Sequence, residues 1–458
     1  MKVIICGAGR VGFGIAARLA AERADVTVVD QSVEFVQSIT EKLDVRGIVG
    51  HGAFPDVLAD AGARQADMLI AVTFSDEVNM VACQVAHALF NIPTKIARVR
   101  AQSYLSPEYQ DLFSRSNLPI DVIISPELEV ANAVLSRLAL PGAFEVTSFA
   151  DGNIQFVGVQ IEETCPVINT PIYQLSELFP DLKARIVGLW RQEHMLVPQS
   201  DDQLMAGDEA YFIADKGHVS RTLDILGHDE REARRVVLLG GGNIGRFVAR
   251  ELEKWHLKVN VKVIESDKDR AEAAAEHLSR TVVLHGSGLD QALLREAGIA
   301  DTETIVALTN QDQVNILSCV LAKKEGARRS VSLINDRTYA ELMRPLGIDA
   351  FIDPRATTVS TILQNVRRGR IKALHSVRNG LAEAIEAEAL KTSPLVGVPL
   401  REVNLPDGLR LGAVYRDGEV LIPDGDMRIE ANDRVTVFAL REAVSKVEQM
   451  FRVSLEYF

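Results

Sequence analysis

The stretch KVIICGAGRVGFGIAARL at residues 2–19 returns at residues 235–252 as RVVLLGGGNIGRFVAREL. Each copy is a short apolar run, then G-x-G-x-x-G, then a segment with helical periodicity. The glycines are Gly7, Gly9 and Gly12 in the first copy and Gly240, Gly242 and Gly245 in the second, 233 residues further on. In such a strand–turn–helix the first glycine makes the tight turn, the second lets backbone approach a pyrophosphate, and the third lets helix pack on strand. The helix N-terminus offers unpaired N–H groups to phosphate. A cradle is expected at Gly7, Ala8, Gly9, Arg10, Val11 and Gly12, and again at Gly240, Gly241, Gly242, Asn243, Ile244 and Gly245.

The repetition continues outward. VTVVDQS (26–32) returns as VKVIESD (261–267), and IDVIISP (120–126) as IDAFIDP (348–354). Strand-like runs alternate with helical segments of about 10–15 residues, the pattern of a doubly wound parallel sheet. An apolar helix over 126–140 is expected to finish the first such unit, and Pro141 and Gly142 to stop it. Residues 143–229 change character, with short β-like runs FEVTSFA, QFVGVQI, RIVGLWR and EAYFIAD separated by turn residues. The C-terminal segment repeats this module, SPLVGVPLREV (393–403) answering CPVINTPIYQL (165–175). The fold class is therefore α/β: two tandem Rossmann-like doubly wound parallel-sheet domains, each followed by a small α+β domain. The expected boundaries are 1–141, 142–229, 230–371 and 372–458.

Composition narrows the function. The chain has 458 residues and a net charge of −13, so nucleic acid is not an expected partner, because binding it needs a basic face. The one basic run, RRGRIK at 367–372, reads as a solvated helix end or an interdomain contact. No apolar run approaches the 18 or more residues of a spanning helix. The first residues enter a strand at once, so no signal peptide is expected. Cys6, Cys83, Cys165 and Cys319 form no CxxC pair and sit in apolar segments, as structural thiols of a reducing compartment do.

Other residues carry chemistry in matched pairs. Asp30 and Glu265 end the second strand of each copy, where an acid accepts hydrogen bonds from a ribose diol. Thr73 and Asn79, matched by Thr309 and Asn315, are expected to face the crevice at the carboxyl end of the fourth strand. Asp76 and Asp312 read as helix N-caps. Arg98 ends the fifth strand and could pair with phosphate; Leu333 stands opposite it in the second copy, Asn335 opposite Arg100, and Arg337 is a nearby substitute. His51 and His285 are expected at equivalent loop positions after the third strand. No metal-ligand spacing and no nucleophile elbow is present.

GAGRVG, Asp30, the run from GHGAFPDV to FSDEVN at 50–79 and ARVR at 97–100 together resemble the RCK family, also called KTN, the regulators of potassium conductance. The small modules resemble RCK C-terminal domains, with MAGDEAYFIA (205–214) and EANDRVTVFAL (430–440) near their ends. Two such units in one chain resemble the TrkA-type regulatory subunits of bacterial Trk potassium uptake. The resemblance implies NAD(H) binding with ATP or ADP as competing ligands. It also implies a homotetrameric ring at the cytoplasmic face of the membrane and a membrane-embedded potassium-translocating partner. Carried over by position, it implies contacts from residues 7–11, Asp30, Thr73, Phe74 and Arg98, and from residues 240–244, Glu265, Thr309 and Asn310. The alternative is an NAD-dependent dehydrogenase with duplicated nucleotide domains. Such an enzyme needs an acid/base group beside the nicotinamide and a substrate domain of useful size. The modules of about 85 residues offer no evident catalytic cluster, so regulation without turnover is expected.

Overall fold

The computed structural model describes residues 1–451 apart from 22, 115, 231, 256–258 and 367–370. The first parallel sheet is built from Lys2–Cys6, Asp25–Asp30, Arg46–Val49, Met68–Ala71, Thr94–Arg98 and Val122–Ile124. Their spatial order is third, second, first, fourth, fifth, sixth, every neighbouring pair parallel. The second sheet repeats this order with Arg235–Leu239, Asn260–Glu265, Val282–His285, Thr304–Ala307, Arg329–Leu333 and Ala350–Ile352. Both central strands are buried on both faces, which is why VIIC and VVLL read as continuous apolar runs. The strand order reverses between the first and fourth strands, and ligands of open α/β sheets bind at the carboxyl ends there.

Each small module is a five-stranded antiparallel sheet. In the first the strands are Ala143–Phe149, Ile154–Gln160, Ala184–Arg191, His194–Leu196 and Glu209–Asp215. In the second they are Ile371–Val377, Ala382–Glu388, Leu409–Arg416, Glu419–Leu421 and Arg434–Leu440. The two sheets face each other, with Phe149, Phe156, Tyr211 and Ile213 packed against Val377, Ala384, Ala413 and Phe438. Reciprocal arginines cross this seam: Arg185 donates to the Pro423 carbonyl and Arg410 to the Pro198 carbonyl. Burial brings Arg185 down to about 10, with Arg410 adding to the effect. Of the basic run RRGRIK, only Ile371 and Lys372 lie within the described residues, and Lys372 pairs with Glu388 at 2.8 Å.

One expectation is corrected. The helix Pro126–Ala139 does not finish the first unit in space; it covers the second sheet. Its Val130, Ala131, Val134 and Leu138 share a core with Val236, Leu238, Val248 and Leu252. The helix Pro354–Val366 returns the exchange, placing Ile362, Leu363 and Val366 in the core of Val3, Ile5, Ile15 and Leu19. Helical periodicity marks a face for burial but does not say against which sheet. The halves are thus interlocked through their cores.

The joint between the halves carries a buried histidine with an acceptor at each ring nitrogen. His228 Nε2 lies 2.7 Å from the Gln160 carbonyl and Nδ1 lies 3.5 Å from Glu230, which also holds Arg329 of the second half at 2.6 Å. A cavity of about 560 Å³ lined in part by Leu140, Leu223 and Arg234 adjoins it. Burial opposes the charged ring, but Glu230 and the Gln160 carbonyl outweigh it and raise the His228 pKa. Glu230 is brought down to about 2, chiefly by His228. The histidine's contribution to stability is complete below the unfolded value near ~6.5 and fades as pH rises through the raised folded value. The carboxylate's contribution is complete above ~4.3 and fades as pH falls through about 2. Thermal unfolding from pH 6.5 to about 8.5 should therefore fall more steeply in the wild type than in His228→Gln. Parallel curves would remove the clamp.

Candidate functional site

The two glycine turns have the same geometry. Gly7 sits at φ +114°, and a Cβ there would meet the Val72 carbonyl at 2.9 Å. A Cβ on Gly12 would land on the Gly7 carbonyl oxygen, so the helix Arg10–Ala21 packs on the strand only with glycine there. Gly9 differs: nothing lies within 4 Å of where its Cβ would stand, and the same holds at Gly242. That open space lies at the start of helices Arg10–Ala21 and Asn243–Lys254, a seat of the kind a phosphate occupies.

The acids grip these turns. Asp30 accepts the Ala8 N–H at 2.7 Å and the Ser32 N–H at 2.9 Å. Glu265 accepts the Gly241 N–H at 2.7 Å and the Asp267 N–H at 2.9 Å, and Arg270 pairs with it at 3.2 Å. Glutamate is one methylene longer, and Gly241 makes room for it: a Cβ there would stand 3.2 Å from that of Glu265. Asp30 keeps partial exposure, whereas Glu265 is buried. A carboxylate has about four lone-pair sites, so Asp30 can hold the loop and accept from a ribose together.

Four matched residues do other work than the sequence suggested. Asn79 and Asn315, expected to face ligand, are fully buried. Asn79 accepts from the Thr73 N–H (2.8 Å) and hydroxyl (2.7 Å) and donates to the Thr73 (3.2 Å) and Arg98 (2.9 Å) carbonyls. Asn315 makes the same set with Thr309 and Leu333. Their amides are saturated by strand ends, so they position Thr73 and Thr309 rather than touch ligand. Asp76 and Asp312, read as N-caps, instead accept backbone N–H groups beyond the fifth strand: Arg100 and Ala101 for Asp76, Asn335 and Asp336 for Asp312. Ser75 caps the first of those helices.

The histidines are not equivalent. Strand register sets His285 opposite Glu265, whereas Asp30 is opposite Val49, and His51 lies two residues beyond its strand. His51 stacks on Phe54 with ring centres 4.4 Å apart. His285 Nε2 lies 3.2 Å from the Ser266 carbonyl.

At the far end of the crevice the copies diverge. Register confirms that Arg98 and Leu333 correspond, each paired with the last residue of the sixth strand. Arg98 is partly buried, and its Nε has no hydrogen-bond partner among the described residues. Leu333 is 3% exposed, inside the second core. Phe74 is 85% exposed, and the Arg100 guanidinium lies 5.3 Å from its ring centre. Asn310 is exposed and Thr309 partly so. The Arg337 side chain lies outside the described residues; the arginine found near the second crevice is Arg355, which donates to the Asn335 carbonyl. Sequence reading missed it, although Arg355 aligns with Glu127, which pairs with Arg100 at 3.0 Å. The Thr338 N–H, with lesser help from Arg355 and then Arg10 of the first copy, lowers the pKa of Asp336.

An open seat at each helix start and a gripped acid fit a nucleotide's pyrophosphate and ribose. All four cysteines are buried and free of disulfides, with burial pushing the Cys6 thiol up to about 12, and no group of metal-ligating residues occurs among the described residues.

Comparison with known proteins agrees with this architecture. The TrkA-N domain model matches residues 3–126 and 236–354, and the TrkA-C domain model matches 156–227 and 384–452. The Trk system potassium uptake protein TrkA of Azorhizobium caulinodans is 57% identical, covering all of both chains. That of Halomonas elongata is 42% identical over the same full span, and that of Vibrio alginolyticus 39% over 99% of each. Among solved structures, the GsuK channel aligns over 98% of this chain and 78% of its own with TM-score 0.62 at 18% identity. The GsuK channel bound to NAD aligns over the same shares with TM-score 0.60 at 17% identity, a likeness of fold. Full-length identity and two matched pairs of domains place this chain in the TrkA family of Trk system potassium uptake proteins.

Proposed function

We propose that this chain is a nucleotide-responsive regulator of potassium uptake. It binds NAD(H) and the adenine nucleotides ATP and ADP at its two glycine turns, assembles as a homotetrameric ring, and controls a membrane-embedded Trk potassium-translocating partner from the cytoplasmic side. The observation that carries the ligand reading is the open seat above Gly9, beside the loop that Asp30 grips through the Ala8 N–H. A GsuK channel structure of the same fold is described as bound to NAD, which supports that choice. The family's place in potassium uptake favours this reading over the dehydrogenase alternative. So does the use of Asp76 and Asp312 to hold backbone rather than a proton for transfer. No helix among the described residues is long and apolar enough to cross a membrane.

Regulation requires that a ligand bind one arrangement better than another. The exchanged helices give the halves a shared core through which the crevices can bias each other. Asp30→Ala removes a charged acceptor and loosens the Ala8 N–H; first-site affinity should fall about tenfold or more, and calorimetry measures it. Bound NADH should keep its absorbance with any small carbonyl compound present. Full affinity in the variant, or NADH oxidation, would overturn the reading.

A further inference from the structure

We infer that the two crevices divide the nucleotides between them: the first takes a nucleoside di- or triphosphate and the second a dinucleotide, with Arg98 the specificity-determining residue. The inference rests on the nucleotide reading above.

Both crevices keep the parts that hold an internal pyrophosphate, namely the open second glycine and the helix start. Both keep the tie that brings the relevant strand ends together. The virtual Cβ of Gly7 stands 3.0 Å from the Thr73 nitrogen, and Asn79 links Thr73 to Arg98. Gly7, Thr73 and Arg98 thus form a row along the carboxyl edge of the sheet. In the first crevice that row ends in the partly buried guanidinium of Arg98, whose buried Nε donates to no described residue and which has Arg100 beside it as well as the acids Glu127 and Asp76. In the second it ends in Leu333, sealed in the core, and Asn335 replaces Arg100.

The compensating charge of the second copy is already committed. Arg355 donates to the Asn335 carbonyl and has Asp336 beside it, while Arg270 is paired with Glu265. Arg10 also helps to lower the pKa of Asp336, after Thr338 and Arg355, so part of its charge is shared with that acid. A terminal phosphate carries up to two charges near neutral pH, its second ionisation lying near ~6. The two phosphates of a dinucleotide are both internal and carry one charge each. A cation at the end of the row therefore rewards a terminal phosphate and is of less use to a dinucleotide.

The test isolates each crevice by filling the other. Gly242→Asp leaves the first crevice and Gly9→Asp the second; nothing within 4 Å crowds either position. ADP and NADH are titrated by calorimetry into wild type and both variants. The preference for ADP over NADH should be about 10- to 100-fold greater in the first crevice. Adding Arg98→Leu to Gly242→Asp should erase that excess by weakening ADP, with NADH changed less than about threefold. Equal preferences in the two crevices, or equal losses of both ligands on Arg98→Leu, would overturn the division while leaving the nucleotide reading standing. Failure of the wild type to bind either ligand would overturn both.

Discussion

Gly9→Asp should abolish nucleotide binding at the first crevice and leave the fold intact. The position has no atom within 4 Å of its virtual Cβ, so the new side chain meets open space rather than protein. That same space is the phosphate seat, and a carboxylate there adds steric block to like-charge repulsion. Juxtaposed like charges cost several kcal/mol, so affinity should drop by more than about 100-fold. Gly242→Asp should do the same for the second crevice. Gly12→Ala, by contrast, should harm folding, because its Cβ lands on the Gly7 carbonyl. Thermal unfolding and calorimetry on the three variants separate the two kinds of glycine. Two nucleotides still bound per chain in Gly9→Asp would mean that the first ligand sits elsewhere.

The second large effect concerns the exchanged helices. Ile362 and Leu138 are fully buried, each in the core of the opposite half. Truncating either to alanine should cost about 2–5 kcal/mol of stability, from lost burial and the cavity left behind. The location of the damage is the sharper expectation. In Ile362→Ala, amide exchange should quicken in the strand Lys2–Cys6, far away in sequence; in Leu138→Ala it should quicken in Arg235–Leu239. Damage confined to each mutation's own half would contradict the exchange.

Much of this was legible in the residues. The duplicated G-x-G-x-x-G, its strand and its helix were explicit, because each glycine answers a local steric demand. So was the contrast of Arg98 with Leu333, which sequence spacing alone places in register. What eluded sequence reading depends on where distant segments meet. The apolar face of 126–140 signals burial equally well against either sheet. Asn79 and Asn315 look like ligand contacts because they stand near the crevice; only when two strand ends converge are all their hydrogen bonds seen to be used. Asp76 and Asp312 fit the helix-cap pattern, yet the loop after the fifth strand claims their carboxylates. His285 was matched to His51 by letter, while strand pairing puts it two positions earlier. Arg355 escaped notice because the charge it brings lies in a different segment from the arginine that was lost.

The central claim is that each chain carries two working nucleotide sites. Its most direct test is a calorimetric titration of the purified protein with NADH, NAD, ATP and ADP, read as stoichiometry per chain. Saturable binding totalling two nucleotides per chain, with NADH recovered unchanged, is the expected result. No binding of any of the four would contradict the claim and leave the duplicated turns as packing devices alone.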